Sequence, residues 1–246
     1  MVPSMYRSSQ PAGRAAWTAR PARSSLRSVS NAQVVLPGST ATVIGLAALG
    51  VVAFNAGWLV VRHLTVMAHE GAHALTGLVL FRSVHGIRLR SDATGGTDIS
   101  PAAGLRGVPI ALSGYLGPSG FGLGAAKLIE LRYTPAVLYV VLFGLAVLLV
   151  GLRWSFGVIS VLAAAGVVSG IAWFTPMHVQ VISAYAVTWL LLLSGVRRVV
   201  EVGPRSDDGT RLRGITGLPH VLWFLFWLAA TLAAAAEGAR LLVMHA

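Results

Sequence analysis

Apolar residues along this chain fall into long unbroken runs rather than the periodic stripes of a water-soluble protein. Seven such runs cover about 38–61, 63–81, 107–129, 134–151, 155–174, 179–199 and 218–244, separated by short polar or basic stretches. Crossing the hydrocarbon core of a bilayer takes about 20 apolar helical residues. The runs therefore predict an all-α fold, a polytopic transmembrane helix bundle of seven spans. The first two nearly merge through Arg62 and His63, so six crossings with a bent first hairpin is the alternative count.

Two polar stretches interrupt the pattern. Between Ser83 and Ser100, Ile87 and Leu89 alternate with Arg88 and Arg90, Gly95-Gly96 marks a turn, and Thr97-Asp98-Ile99 can pair back. Alternation with period two is a strand signal, so a short polar hairpin is predicted after the second run. The stretch from Glu201 to Gly217 holds Pro204, Ser206-Asp207-Asp208-Gly209 and several arginines, and reads as a basic loop. Neither stretch is long enough to be a domain, and there is no internal repeat of the kind that builds inverted-repeat transporters.

The first 36 residues stand apart: Arg7, Arg14, Arg20, Arg23 and Arg27 lie among Ser and Ala with no acidic residue. Too few apolar side chains are present to offset the entropy of ordering, so 1–36 reads as a disordered tail and 37–246 as one transmembrane domain. Arg-rich, acid-poor N-termini also resemble transit peptides. A cytoplasmic tail beside anionic lipid explains the composition equally and agrees with the loop charges.

Composition strengthens the membrane reading. Only 11% of residues are charged, 55% are hydrophobic and the mean hydropathy is +0.74, whereas soluble domains carry about 25% charged residues. A net charge of +11 raises the question of nucleic acid. The arginines sit in the tail and in loops, with no basic and aromatic surface patch, so a bilayer and not a nucleic acid is the implied partner. With the tail inside, the inner loops hold Arg82, Arg88, Arg90, Arg106, Arg153, Arg197, Arg198, Arg205, Arg211 and Arg213. The outer ones hold only Arg62, Lys127, Arg132 and Arg240. The bias predicts a cytoplasmic N-terminus and an outside C-terminus. The Gly, Ala and Arg content suits the plasma membrane of a high-GC bacterium.

The chain has no cysteine, so a metal can be held only by His, Asp or Glu. The string Thr65-Val-Met-Ala-His69-Glu70-Gly71-Ala72-His73 supplies candidates. Residues four apart share a helix face, so His69 and His73 can address one ion. Glu70 can reach a water on that ion, whose pKa falls towards ~7, and take its proton as it attacks a carbonyl. Random placement would produce this pattern in roughly 0.3% of chains of this make-up. Inside a membrane each ionisable group costs about 2.5–3.5 kcal/mol on insertion scales, so three in five residues call for a metal, a water cavity or a partner. The plain structural reading is a hydrogen-bonded cluster between helices, which gains only about 1 kcal/mol per contact.

His69-Glu70-Gly71-Ala72-His73 in an early transmembrane helix, followed by a Gly-rich polar hairpin, resembles the site-2 protease group of intramembrane zinc metallopeptidases. The chain is most similar to a small bacterial branch of peptidase-like multi-pass proteins, through Ser113-Gly114-Tyr115-Leu116-Gly117-Pro118 and Ser206-Asp207-Asp208 leading to Thr216, Gly217, Leu218, Pro219 and Trp223. The resemblance implies Zn2+ as cofactor, His69 and His73 as ligands, Glu70 as base, and a single-pass membrane protein as substrate. It implies regulated intramembrane proteolysis, in which another protein licenses the cut.

A third ligand stays open. Site-2 proteases use an Asp, commonly followed by Gly, on a later helix. Asp208-Gly209 matches that dipeptide and Asp207 matches the branch's own pattern, but both lie in the basic loop, where pairing with Lys or Arg in solvent is the simpler reading. Asp98 and His178 are further candidates, while Glu130, Glu201 and Glu237 read as helix-end charges, the last beside Arg240. A substrate helix must unwind to be cut, and the edge from Ile87 to Arg90 can receive the unwound strand. Gly114, Gly117, Gly120, Gly122 and Gly124 read as a surface for close helix packing. Two other functions compete with the peptidase. One is a non-catalytic scaffold on the same fold, favoured by the missing ligand. The other is a metal or proton transporter lined by His69, Glu70 and His73.

Overall fold

The computed structural model describes residues 35–101, 104–153 and 156–244. The predicted tail, 1–36, lies outside them except for its last two residues. The described residues form α1 Gly38–Ala53, α2 Asn55–Val79, β1 Val84–Leu89, β2 Gly95–Ile99, α3 Val108–Glu130, α4 Ala136–Gly151, α5 Phe156–Phe174, α6 Met177–Val202, α7 Asp207–Thr216 and α8 His220–Met244. Long apolar runs become helices because a helix satisfies its backbone groups within its own segment, as lipid requires. Helices α5, α6 and α8 are each long and apolar enough to cross a bilayer, and α1 with α2 meets the same test as a pair bent by 96°. The chain is an integral membrane protein.

The interruption of the first apolar stretch falls at Phe54, not at Arg62 and His63. Phe54 is extended (φ −84°, ψ 138°), which ends α1 and lets Asn55 start α2. Arg197 of α6 reaches across the bend to the Val52 carbonyl and to Asn55 Oδ1 at 3.0 Å, satisfying groups that the break frees. Its guanidinium also lies 4.7 Å from the Trp58 ring centre. Arg62 and His63 need no break, because both find partners on the ribbon. Arg62 donates to the Asp92 carbonyl, and His63 Nε2 lies 3.2 Å from the Ser91 carbonyl.

The bundle has two distinct ends. At one, α1 begins where α8 finishes: a Cβ on Gly38 would lie 2.5 Å from the Val243 carbonyl oxygen. Ala41, Ile129, Val137, Tyr185 and Leu242 bury one another there. From Leu36, whose N–H donates to the Tyr185 hydroxyl at 3.2 Å, α1 runs beside α6 until Val52 meets Arg197. Helix α2 continues towards the opposite end, where His73 abuts Ile110 at the start of α3. There Ala111, Tyr115, Val199, Leu212 and Trp227 form a second core. Gly38 and Val243 share an end, whereas the predicted seven crossings put the two chain ends on opposite faces.

The ribbon lies along α2. Strands β1 and β2 are antiparallel, with Ile87 opposite Thr97 and Leu89 opposite Gly95. The period of two turns Gly95, Thr97 and Ile99 towards α2: the first two reach Glu70, and Ile99 Cδ1 would be 3.2 Å from a Cβ on Gly77. The predicted edge at Ile87 is not open. Ile87 bridges in parallel to Leu152, and its carbonyl accepts from Arg153 N–H at 3.3 Å. Among the described residues no third strand pairs with β2.

Candidate metal centre and catalytic site

His69 and His73 are one turn apart on α2 and face α3 and α7. Their approach depends on Gly114, where a Cβ would come within 2.6 Å of His69 Nε2 and closer still to His73 Nε2. One turn on, a Cβ on Gly117 would lie 2.5 Å from that of Ala72. Gly122 fits against Leu192 of α6, whereas Gly120 and Gly124 have open space around them. Only part of the predicted glycine surface therefore serves packing, and Gly114 shapes the site itself.

The sequence reading of 201–217 as a loop is corrected by α7. Ser206 caps it, accepting from Gly209 N–H at 3.0 Å, and Gly217 closes it in the left-handed region (φ 75°) with its N–H on the Arg213 carbonyl at 2.8 Å. Ser206 is buried at the start of α7. The first turn of α7 then delivers Asp208 to the histidines while Asp207 stays exposed. The solvated-loop reading of Asp208 fails for this reason: a cap and a helix carry it inward.

Asp208 Oδ2 lies 3.3 Å from both His69 Nε2 and His73 Nε2, and the two nitrogens are 3.1 Å apart. Burial raises the affinity of Asp208 for a proton. Protonated imidazoles at His69 and His73 would outweigh that and hold the carboxyl well below the usual carboxylate range. His73 Nδ1 donates to the Ile110 carbonyl at 2.7 Å, a carbonyl that also accepts from Ser113 Oγ at 2.8 Å. This bond puts the proton of a neutral His73 on Nδ1, so its Nε2 turns a lone pair towards Asp208. His69 packs edge-on against Tyr115, with ring centres 4.7 Å apart, and Tyr115 lies against Trp227. His69 Nδ1 is buried without a hydrogen-bond partner.

These donors fit a tetrahedral zinc ion. Bonds of about 2.0–2.1 Å place neighbouring ligand atoms roughly 3.3–3.4 Å apart, and the triangle here has edges of 3.1, 3.3 and 3.3 Å. A carboxylate oxygen and an imidazole lone pair at that separation repel unless a cation lies between them. Among the described residues this is the one group of His, Asp and Glu whose ligand atoms converge so closely.

Glu70 is buried and its carboxylate meets β2. Thr97 Oγ1 donates to its Oε2 at 2.7 Å. The remaining candidates lie elsewhere. Asp98 alternates away from α2 and is exposed, and His178 is exposed at the far end of α6. Glu237 pairs with Arg240 at 2.6 Å near the end of α8. Glu130 ends α3 beside Lys127, and Glu201 accepts from Trp58 Nε1 at 2.9 Å and Arg198 Nη1 at 2.8 Å. Sequence reasoning missed Ser206, although Ser followed by two Asp and a Gly is a helix-start signal. It also missed Thr97, whose contact depends on how the ribbon docks.

Residues 42–238 match the family model described as Peptidase M50B-like. No curated protein and no solved structure matches the chain.

Proposed function

The chain belongs to the Peptidase M50B-like family, and from that premise we propose that it is an intramembrane zinc metalloendopeptidase. Its reaction is hydrolysis of a peptide bond in or near a substrate's transmembrane segment. The observation that carries this reading is the triangle of donors formed by His69, His73 and Asp208. A third donor on α7 removes the reason for preferring a non-catalytic scaffold, and a three-residue set with an open position is the pattern of catalytic rather than structural zinc.

In this reading His69, His73 and Asp208 hold the ion, and Ile110 fixes the ring of His73 through Nδ1. Zinc bound there supplies a Lewis acid that polarises a carbonyl and acidifies water. Glu70 takes the proton of the attacking water and returns it to the departing amine, so the side chain ends as it began. Tyr115 and Trp227 pack behind His69 and keep bulk water from that face. The substrate segment unwinds and adds as a strand to the outer edge of β2, the side with no strand partner among the described residues.

Counting α1 with α2 as one bent span, and α3, α4, α5, α6 and α8 as the others, gives six crossings of a bacterial plasma membrane. The arginines of the ribbon and of 197–213 put the site end on the cytoplasmic face. Gly38 and Val243 then lie at the opposite face. A single-pass membrane protein is the substrate class.

Elemental analysis of detergent-purified protein tests the centre. Wild type should hold close to one zinc, and His73→Ala and Asp208→Ala should lose it. Glu70→Gln should retain the metal and lose cleavage of a quenched-fluorescent transmembrane peptide by at least about 1,000-fold. A metal-free wild type, or a Glu70→Gln variant that still cuts, overturns the reading.

A further inference from the structure

Glu70 is held by more than its own helix. Thr97 Oγ1 donates to carboxylate oxygen Oε2 at 2.7 Å and lies 3.2 Å from the Glu70 backbone carbonyl. On the same face of β2, a Cβ on Gly95 would come within 2.6 Å of Oε1 and 2.9 Å of Cδ. One strand therefore borders both carboxylate oxygens, and any side chain at residue 95 would push it away. The strand is itself fixed along α2. Arg62 and His63 hold the turn of the ribbon, and Ile99 packs over Gly77 at the other end.

We propose that Thr97 is a positioning residue for Glu70, and that Gly95 is what admits β2 to the carboxylate. The inference rests on the reading of Glu70 as the catalytic base. A glutamate side chain turns about three bonds and can carry its carboxylate several ångströms; a hydrogen bond from a docked strand selects one of those positions. The same strand offers the free edge on which an unwound substrate would pair. Base and scissile peptide would then take their placement from one piece of backbone, and substrate register would be set relative to Glu70. A misplacement of about 1 Å costs roughly 100-fold in rate, so one hydroxyl can matter without touching the reacting atoms.

The test uses the full chain in micelles, with a quenched-fluorescent peptide of about 20 apolar residues carrying a central Gly-Pro, a length that spans a bilayer. Thr97→Val, which keeps shape and removes the hydroxyl, should lower kcat by about 10- to 100-fold with KM little changed and zinc content equal to wild type. Thr97→Ser should restore most of the rate, and Gly95→Ala should lose it with zinc retained. Wild-type kcat in Thr97→Val, or a loss that Thr97→Ser does not restore, overturns the positioning role while leaving the peptidase reading intact.

A thermal double-mutant cycle between Thr97→Val and Glu70→Ala keeps the two failures separate. Non-additive shifts in Tm are expected, and additive shifts overturn the contact whatever the activity. If wild type cuts nothing while the cycle is non-additive, the peptidase reading has failed, and the catalytic role of Thr97 fails with it.

Discussion

At the scale of single residues, the site is made by what is absent as much as by what is present. His69, Glu70 and His73 are legible from spacing alone, because the helical repeat places residues four apart on one face. Gly114 is not: as one of several glycines on α3 it looks like helix packing, and only the docked helices reveal its place against both imidazoles. Gly120, on the same helix, has open space around it. Overpacking typically costs about 1–3 kcal/mol. Gly114→Ala should therefore lower both Tm and zinc stoichiometry, whereas Gly120→Ala should leave both near wild type. Equal behaviour of the two variants, read by thermal unfolding and elemental analysis, would contradict the tight fit around the histidines.

At the scale of elements, α7 decides whether the histidines have a third partner. Its ten residues would be marginal as an isolated helix, so its ends matter. Ser206 closes its start and Gly217 closes its end. Removing a Ser cap typically costs about 1 kcal/mol. Ser206→Ala should accordingly release zinc to a chelator at roughly fivefold lower chelator concentration, the equivalent of that energy. Ser206→Thr, which keeps a hydroxyl, should stay closer to wild type. The cap signal was readable in Ser206-Asp207-Asp208-Gly209, but composition pulled the reading the other way: a basic stretch between two apolar runs resembles a solvated loop. The ribbon was readable from its period of two. Which of its edges is free was not, because Leu152 and Arg153, which occupy the β1 side, lie more than 60 residues away in sequence.

At the scale of the molecule, the chain bends by 96° at Phe54 between two apolar helices, and the start of α1 lies beside the end of α8. The absence of cysteine makes this directly measurable. Single cysteines at Pro37 and Met244 should react with a membrane-impermeant maleimide from one side of the membrane in intact cells. Cysteines at Asp98 and Asp207 should react only from the other. Pro37 and Met244 labelling from opposite sides would restore the seven-span arrangement and overturn the bent traverse.

The sequence by itself determined the solvent and the helical face that His69 and His73 share. Long apolar runs demand a membrane because nothing else hides them, and the His-Glu-x-x-His spacing presents two nitrogens on one helical face because the helix repeat is a local property. Tertiary structure decided the partners. Asp208 lies 135 positions beyond His73 in the chain, and no local rule distinguishes it from Asp207. Only the Ser206 cap, the direction of α7 and the small residues of α3 bring its carboxylate to 3.3 Å from both imidazoles. Thr97 meets Glu70 for the same kind of reason, since the docking of a strand on a helix depends on all the side chains between them. Periodicity is written locally; convergence of distant groups is a property of the packed whole.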